Sequence, residues 1–95
     1  MRNYQFYKIK KERKEYLGER YFQVSFDSDT VLQVCINPSM EMRRGRTNNI
    51  GIYLISRLTF VSNYYGMNYV EPCTAKEFNM RYDAMVKMLR LGSDQ

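Results

Sequence analysis

Histidine is absent from this sequence of 95 residues, which removes the commonest general acid or base and the commonest zinc ligand. Cysteine occurs twice, at Cys35 and Cys73. The two lie far apart and form no C-x-x-C pair, so they supply neither a disulfide framework nor a four-ligand zinc site, and both are read as reduced thiols. A D-x-D-x-D-G calcium loop is missing, as are the G-x-S-x-G turn of a serine hydrolase and the G-K-[ST] of a P-loop. Neither thiol has a histidine to deprotonate it. Asp27 and Asp29 stand where a hairpin turn calls for Asp, and Glu12 and Glu15 sit inside a basic run, so no pair of converging carboxylates is evident. The expectation is a noncatalytic protein without a metal or cofactor.

Long hydrophobic runs are also lacking. The amino-terminal MRNYQFYKIKKERKEY has no apolar stretch, and the longest uncharged segment, Leu58 to Val70, is broken by Ser, Asn and Gly. These patterns predict neither a signal peptide nor a membrane span, and hence a cytoplasmic location.

What is present suits one folded unit. Hydrophobic residues make up 44% and aromatics 15%, enough for a packed core, while 26% charged residues are ordinary for a solvated surface. A chain of this length buries roughly 60–65% of the surface its unfolded form exposes, which fits a single domain over residues 1–92 with a short tail at 93–95.

The net charge of +5 is unevenly spread. Residues 1–20 hold seven Lys or Arg against three Glu, residues 21–42 hold three acids and no base, residues 43–57 hold four Arg and no acid, and residues 58–95 balance. The excess is therefore held in the run KIKKERK at Lys8 to Lys14 and in the loop sequence Arg43-Arg44-Gly45-Arg46. If the fold brings them together, they form a cationic patch suited to phosphates or an acidic protein surface.

Two alternating segments, Tyr21 to Phe26 and Val31 to Ile36, flank Asp27-Ser28-Asp29-Thr30 and predict a β-hairpin. Placing Phe22, Val24 and Phe26 on the same face as Leu32, Val34 and Ile36 requires paired residue numbers with an even sum, hence an odd loop. The opposite face would then be half polar and open to solvent. Asn3 to Lys10 predicts a further strand, turning back at Gly18, and Ile50 to Ile55 another. Ser39 to Asn49 has no period and reads as an exposed loop. Beyond Ser56 two patterns compete: Leu58, Phe60 and Ser62 fit a continuing strand, while Leu58, Val61 and Tyr64 or Tyr65 fit a short helix near 57–65, capped by Ser56 and stopped by Gly66, and the helix is favoured. Thr74-Ala75-Lys76-Glu77 has the form of a capping box, opening a helix from about Ala75 to Leu91. Its apolar stripe is Ala75, Phe78, Tyr82, Met85 and Leu89, widened by Val86. The expected fold is α+β: a β-meander, an antiparallel sheet of three to four strands packed by one C-terminal amphipathic helix.

Three arginines within four residues supply planar donor forks that match phosphate oxygens, and the aromatics Tyr4, Phe6, Tyr7, Tyr16, Tyr21 and Phe22 interleave with the amino-terminal cations. Most of those aromatics are needed for the core of so small a domain. The candidate phosphate contacts are Lys8, Lys10, Lys11, Arg13, Lys14, Arg43, Arg44 and Arg46. Met80 and Met88, at the margin of the helix stripe, are candidate protein-docking residues. The leading expectation is a small nucleic-acid-binding or regulatory accessory protein. The alternative is a protein-interaction module, an adaptor or inhibitor that meets an acidic partner through its cations or a second copy of itself through the helix.

Overall fold

Phe6, Tyr7 and Ile9 give the first segment side chains that fit a pleated surface, and in the computed structural model it forms strand β1, Gln5–Ile9. The structure describes residues 3–37 and 50–93. After β1 the chain makes a 3₁₀ turn at Lys11–Arg13 and a single helical turn, α1, at Lys14–Leu17. Gly18 ends it at φ 79°, a left-handed value that glycine adopts without steric cost. Strands β2 (Glu19–Val24), β3 (Thr30–Asn37) and β4 (Gly51–Ser56) follow. A short helix α2, Arg57–Phe60, starts where Ser56 Oγ accepts the Thr59 N–H at 3.0 Å. It widens into a π-helical turn at Val61–Tyr65. Strand β5 (Val70–Pro72) and helix α3 (Ala75–Ser93) complete the chain's elements.

The strands form one antiparallel sheet in the order β4-β3-β2-β1-β5. The first four make the expected meander; the fifth was not anticipated. It has only three residues, one of them Pro72, and is recognisable only because Tyr7 opposes Pro72 and Ile9 opposes Val70. Its place at the sheet edge is where a strand tolerates proline.

The hairpin register differs from the expectation. Tyr21 opposes Val34 and Phe22 opposes Gln33, so the sums are odd. Phe22 and Val24 therefore share a face with Val31, Gln33 and Cys35, while Tyr21 shares the other with Leu32, Val34 and Ile36. The expectation assumed one buried face, and this sheet is covered on both. On one side Tyr7, Ile9, Phe22, Val24 and Val31 pack beneath Phe60 of α2. On the other, Tyr21 and Val34 pack beneath Phe78 and Met85 of α3. With both faces buried, the central strands gain nothing from polar alternation, and the register follows from packing rather than from a hydrophobic-in, polar-out rule.

Helix α3 begins as expected, with Thr74 Oγ1 accepting the Glu77 N–H at 3.0 Å. Glu77, expected to reach back to the cap, places Oε1 3.1 Å from Lys8 Nζ and ties the helix to β1. Of the expected stripe, Phe78 and Met85 are 1% exposed, whereas Ala75 and Leu89 are exposed. The helix meets β1, β2, β3 and β4, and its described residues outside those contacts face solvent. Among the described residues, no helix is long and apolar enough to cross a membrane.

Candidate nucleic-acid interface

The antiparallel topology brings several segments to one end of the sheet. There β1 stops at Ile9 and β2 starts at Glu19, so the connection 10–18 lies at that end. Glu19 opposes Asn37, the last residue of β3, and Cys35 opposes Gly51, the first of β4. Ile9 opposes Val70, which brings the residues leading into β5 to the same end.

Two of these segments are joined directly. The Lys10 N–H donates to the Tyr69 carbonyl at 3.0 Å, and the Arg13 guanidinium lies over the Tyr69 ring at 4.5 Å from its centroid. Tyr69 is positioned by the tight chain reversal before it. Gly66 N–H donates to the Val61 carbonyl at 2.7 Å, closing the π turn, and a Cβ on Gly66 would approach that oxygen to 2.8 Å. Only glycine fits that approach. Asn68 then takes φ 61°, a left-handed conformation asparagine tolerates better than most residues.

The π turn also sets the tyrosines. Tyr64 packs its ring 5.0 Å from Phe22, and its hydroxyl accepts from Arg20 Nη1 at 3.0 Å. Arg20 is held from the other side as well, its Nε donating to the Leu17 carbonyl at 2.7 Å. Burial pushes the Tyr64 hydroxyl pKa up, with Arg20 opposing the shift.

Arg20 and Tyr64 stand between two hollows. One is a groove of about 400 Å³ along the surface, walled by Tyr16, Leu17, Asn63, Met67 and Tyr69. Tyr16 is 60% exposed there, so its ring is offered to solvent. The other is a cavity of about 330 Å³ on the sheet face beside α2, lined by Gln33, Tyr53 and Thr59 as well as by Arg20 and Tyr64. It exists because α2 is short. Phe60, Val61 and Tyr64 cover the Phe22 side of that face, and the strip of β3 and β4 carrying Gln33, Cys35 and Tyr53 is left to polar side chains. Burial, then the neighbouring Cys35, pushes the Tyr53 hydroxyl up to about 12; burial likewise raises the Cys35 thiol, with Arg20 opposing.

The residues expected from sequence fall into separate groups. Lys11, Arg13 and Lys14 are exposed and Lys10 half-buried on the 10–18 connection, beside the groove. Arg13 stacks on Tyr69, and Lys14 Nζ lies 3.8 Å from Glu19 Oε1. Lys8 is elsewhere: it points to the α3 face and is engaged by Glu77. Arg43, Arg44 and Arg46, with the loop expected around them, lie outside the described residues. Met80 and Met88 are exposed on α3, at 63% and 49%, far from the groove.

Sequence reasoning missed Arg20, Gln33, Tyr53 and Tyr69. The signals were present but weak: a glutamine inside an apolar strand, and the aromatic and asparagine density of Asn63-Tyr64-Tyr65-Gly66-Met67-Asn68-Tyr69. Compared with family models, with curated proteins and with solved structures, the chain matches none.

Proposed function

We propose that this chain is a small noncatalytic protein that binds single-stranded nucleic acid, with the groove between the 10–18 connection and the 61–69 turn as its contact surface. The observation that carries this reading is the alternation, at one sheet end, of tyrosine faces with guanidinium groups: Tyr16 open to solvent, Arg13 on Tyr69 and Arg20 on Tyr64. Stacked bases need π-faces, and the backbone needs cations that follow it. From Lys10 to Arg20 five cations outnumber three carboxylates only modestly, so phosphate attraction here is moderate and stacking carries a larger share. The strand ends at Asn37 and Gly51, between which the sequence carries Arg43, Arg44 and Arg46, belong to the same end of the sheet.

The test is fluorescence anisotropy with labelled single- and double-stranded oligonucleotides over a salt series. Binding to single strands should weaken linearly in log salt, with a slope of about −0.7 per phosphate neutralised. Tyr16→Ala should cost ~1–3 kcal/mol of affinity with little change in the slope, and Arg13→Ala should flatten the slope. The triple change of Arg43, Arg44 and Arg46 to Ala measures what those arginines add. Absence of binding at low salt would sink the proposal.

A second reading, self-association through α3, draws on the exposed Met80, Met88 and Leu89. It requires a mass that rises with protein concentration in sedimentation and falls back with Met80→Asp or Met88→Asp. Oligonucleotide binding is indifferent to those changes.

A further inference from the structure

The cavity beside the groove holds an unmet demand. Gln33 is 2% exposed, yet its side-chain Oε1 has no hydrogen-bond partner among the described residues. A buried acceptor left in that state costs free energy that an apolar residue in the same place would not. Gln33 sits mid-strand between Phe22 on β2 and Tyr53 on β4, its Cα partners, and is one of the residues that line the cavity. The Tyr53 hydroxyl is likewise buried without a partner among the described residues, and a ligand group that reached either atom would supply the bond it lacks.

The rest of the lining defines that group. Arg20 and Tyr64 bring a guanidinium and a phenol held together at 3.0 Å, and the Tyr53 hydroxyl stands on the facing strand. Leu54 and Ile55 complete the lining, so the cavity presents a buried acceptor, nearby donors, and aromatic and aliphatic carbon. At about 330 Å³ it lies at the lower end of the ~300–1,000 Å³ typical of small-ligand sites and has room for one flat heterocycle. Arg20 and Tyr64 also wall the groove, so the two hollows share a border.

We infer that the cavity receives a single unpaired nucleobase, whose N–H donor meets Gln33 Oε1 while its ring lies against Tyr64. This inference rests on the groove reading when the base comes from a bound strand, and a free nucleotide presents the same chemistry without it. Single-strand readers take splayed bases in this way, stacking the ring and hydrogen-bonding its edge. A base in the cavity turns a sequence-indifferent groove into a surface that holds one position of the strand apart from the rest.

Two measurements separate the sources. The first compares a labelled ten-nucleotide oligothymidylate with the same strand carrying one central abasic site, at fixed salt. If the base enters the cavity, the intact strand binds roughly tenfold tighter, and Gln33→Leu or Tyr53→Phe brings the two strands to within about twofold. The melting temperature of each variant confirms that it is folded. Equal affinities for both strands, or a preference untouched by both substitutions, overturns the strand-borne base while leaving groove binding intact. The second titrates uridine 5′-monophosphate alone and follows backbone amide NMR signals. Shifts confined to Gln33, Tyr53 and Tyr64 and lost in Gln33→Leu sustain a base site even where no oligonucleotide binds. No shift together with no abasic discrimination overturns the inference altogether.

Discussion

Truncating Phe60 tests whether α2 is seated on the sheet, and with it the existence of both hollows. Phe60 is 0% exposed and its ring centroid lies 5.0 Å from Phe22, 5.8 Å from Tyr7 and 6.0 Å from Tyr65. Phe60→Ala removes a fully buried ring and opens a cavity that β-sheet backbone cannot collapse to fill, at a cost of ~3–5 kcal/mol. A domain of 95 residues has a total stability of ~5–14 kcal/mol at ~0.05–0.15 kcal/mol per residue. The substitution therefore takes about a fifth or more of what holds the protein folded. Urea titration followed by far-UV circular dichroism reads this as a lower midpoint at an unchanged m value. Leu58→Ala, two residues away at 74% exposure, is the control and should stay within about 0.5 kcal/mol of the parent. A Phe60→Ala cost below ~1 kcal/mol, like that of the control, would refute a sheet buried on both faces. The wall formed by Tyr64 would then lose its support, and the groove and cavity with it.

Other expectations follow from single contacts. Thr74→Ala removes the acceptor of the Glu77 N–H and should cost ~0.5–2 kcal/mol in urea titration, while Thr74→Ser keeps most of it. The hydrogen bond that Lys8 donates to Glu77 raises its ammonium above the ordinary 10.5, with burial opposing. The stability this supplies is present below that ordinary value and lost as pH climbs through the raised one. Glu77→Gln should flatten the alkaline fall in stability read by urea titration, by no more than ~1 kcal/mol because both side chains are partly solvated. Tyr53 behaves with the same sign for a different reason: burial pushes its phenol from 10.0 to about 12, so the unfolded chain ionises first and stability drains between those values. Tyr53→Phe should remove the last-titrating component of the phenolate absorbance and reduce the alkaline loss of stability. A tyrosine signal that ends at 10 to 11 in the parent would contradict that burial.

Local rules were enough wherever a residue's neighbours in sequence were its partners in space. The Ser56 and Thr74 caps, Gly18 and the span of the short helix near 57–65 are all decided within a few residues, and so were legible. The β-meander was too, because successive strands joined by short connections pair with each other. The α+β class followed from those elements.

Tertiary structure decided the rest. Which face of the hairpin carries Phe22 and which carries Tyr21 depends on whether one layer or two cover the sheet, and no strand encodes how many helices will lie against it. The strand at Val70–Pro72 has too little pattern of its own and forms because β1 offers an open edge. Lys8 and Arg13 belong to one basic run, yet strand alternation and the turn at Lys10 send the first to Glu77 and the second to Tyr69. Gln33 is the clearest case. Its neighbours Leu32 and Val34 mark it as one polar residue in an apolar strand, and only the shortness of α2 above it turns that position into the wall of a cavity. Sequence sets the propensities and the caps; burial, which depends on contacts between residues far apart in the chain, sets which polar groups are left to meet a ligand.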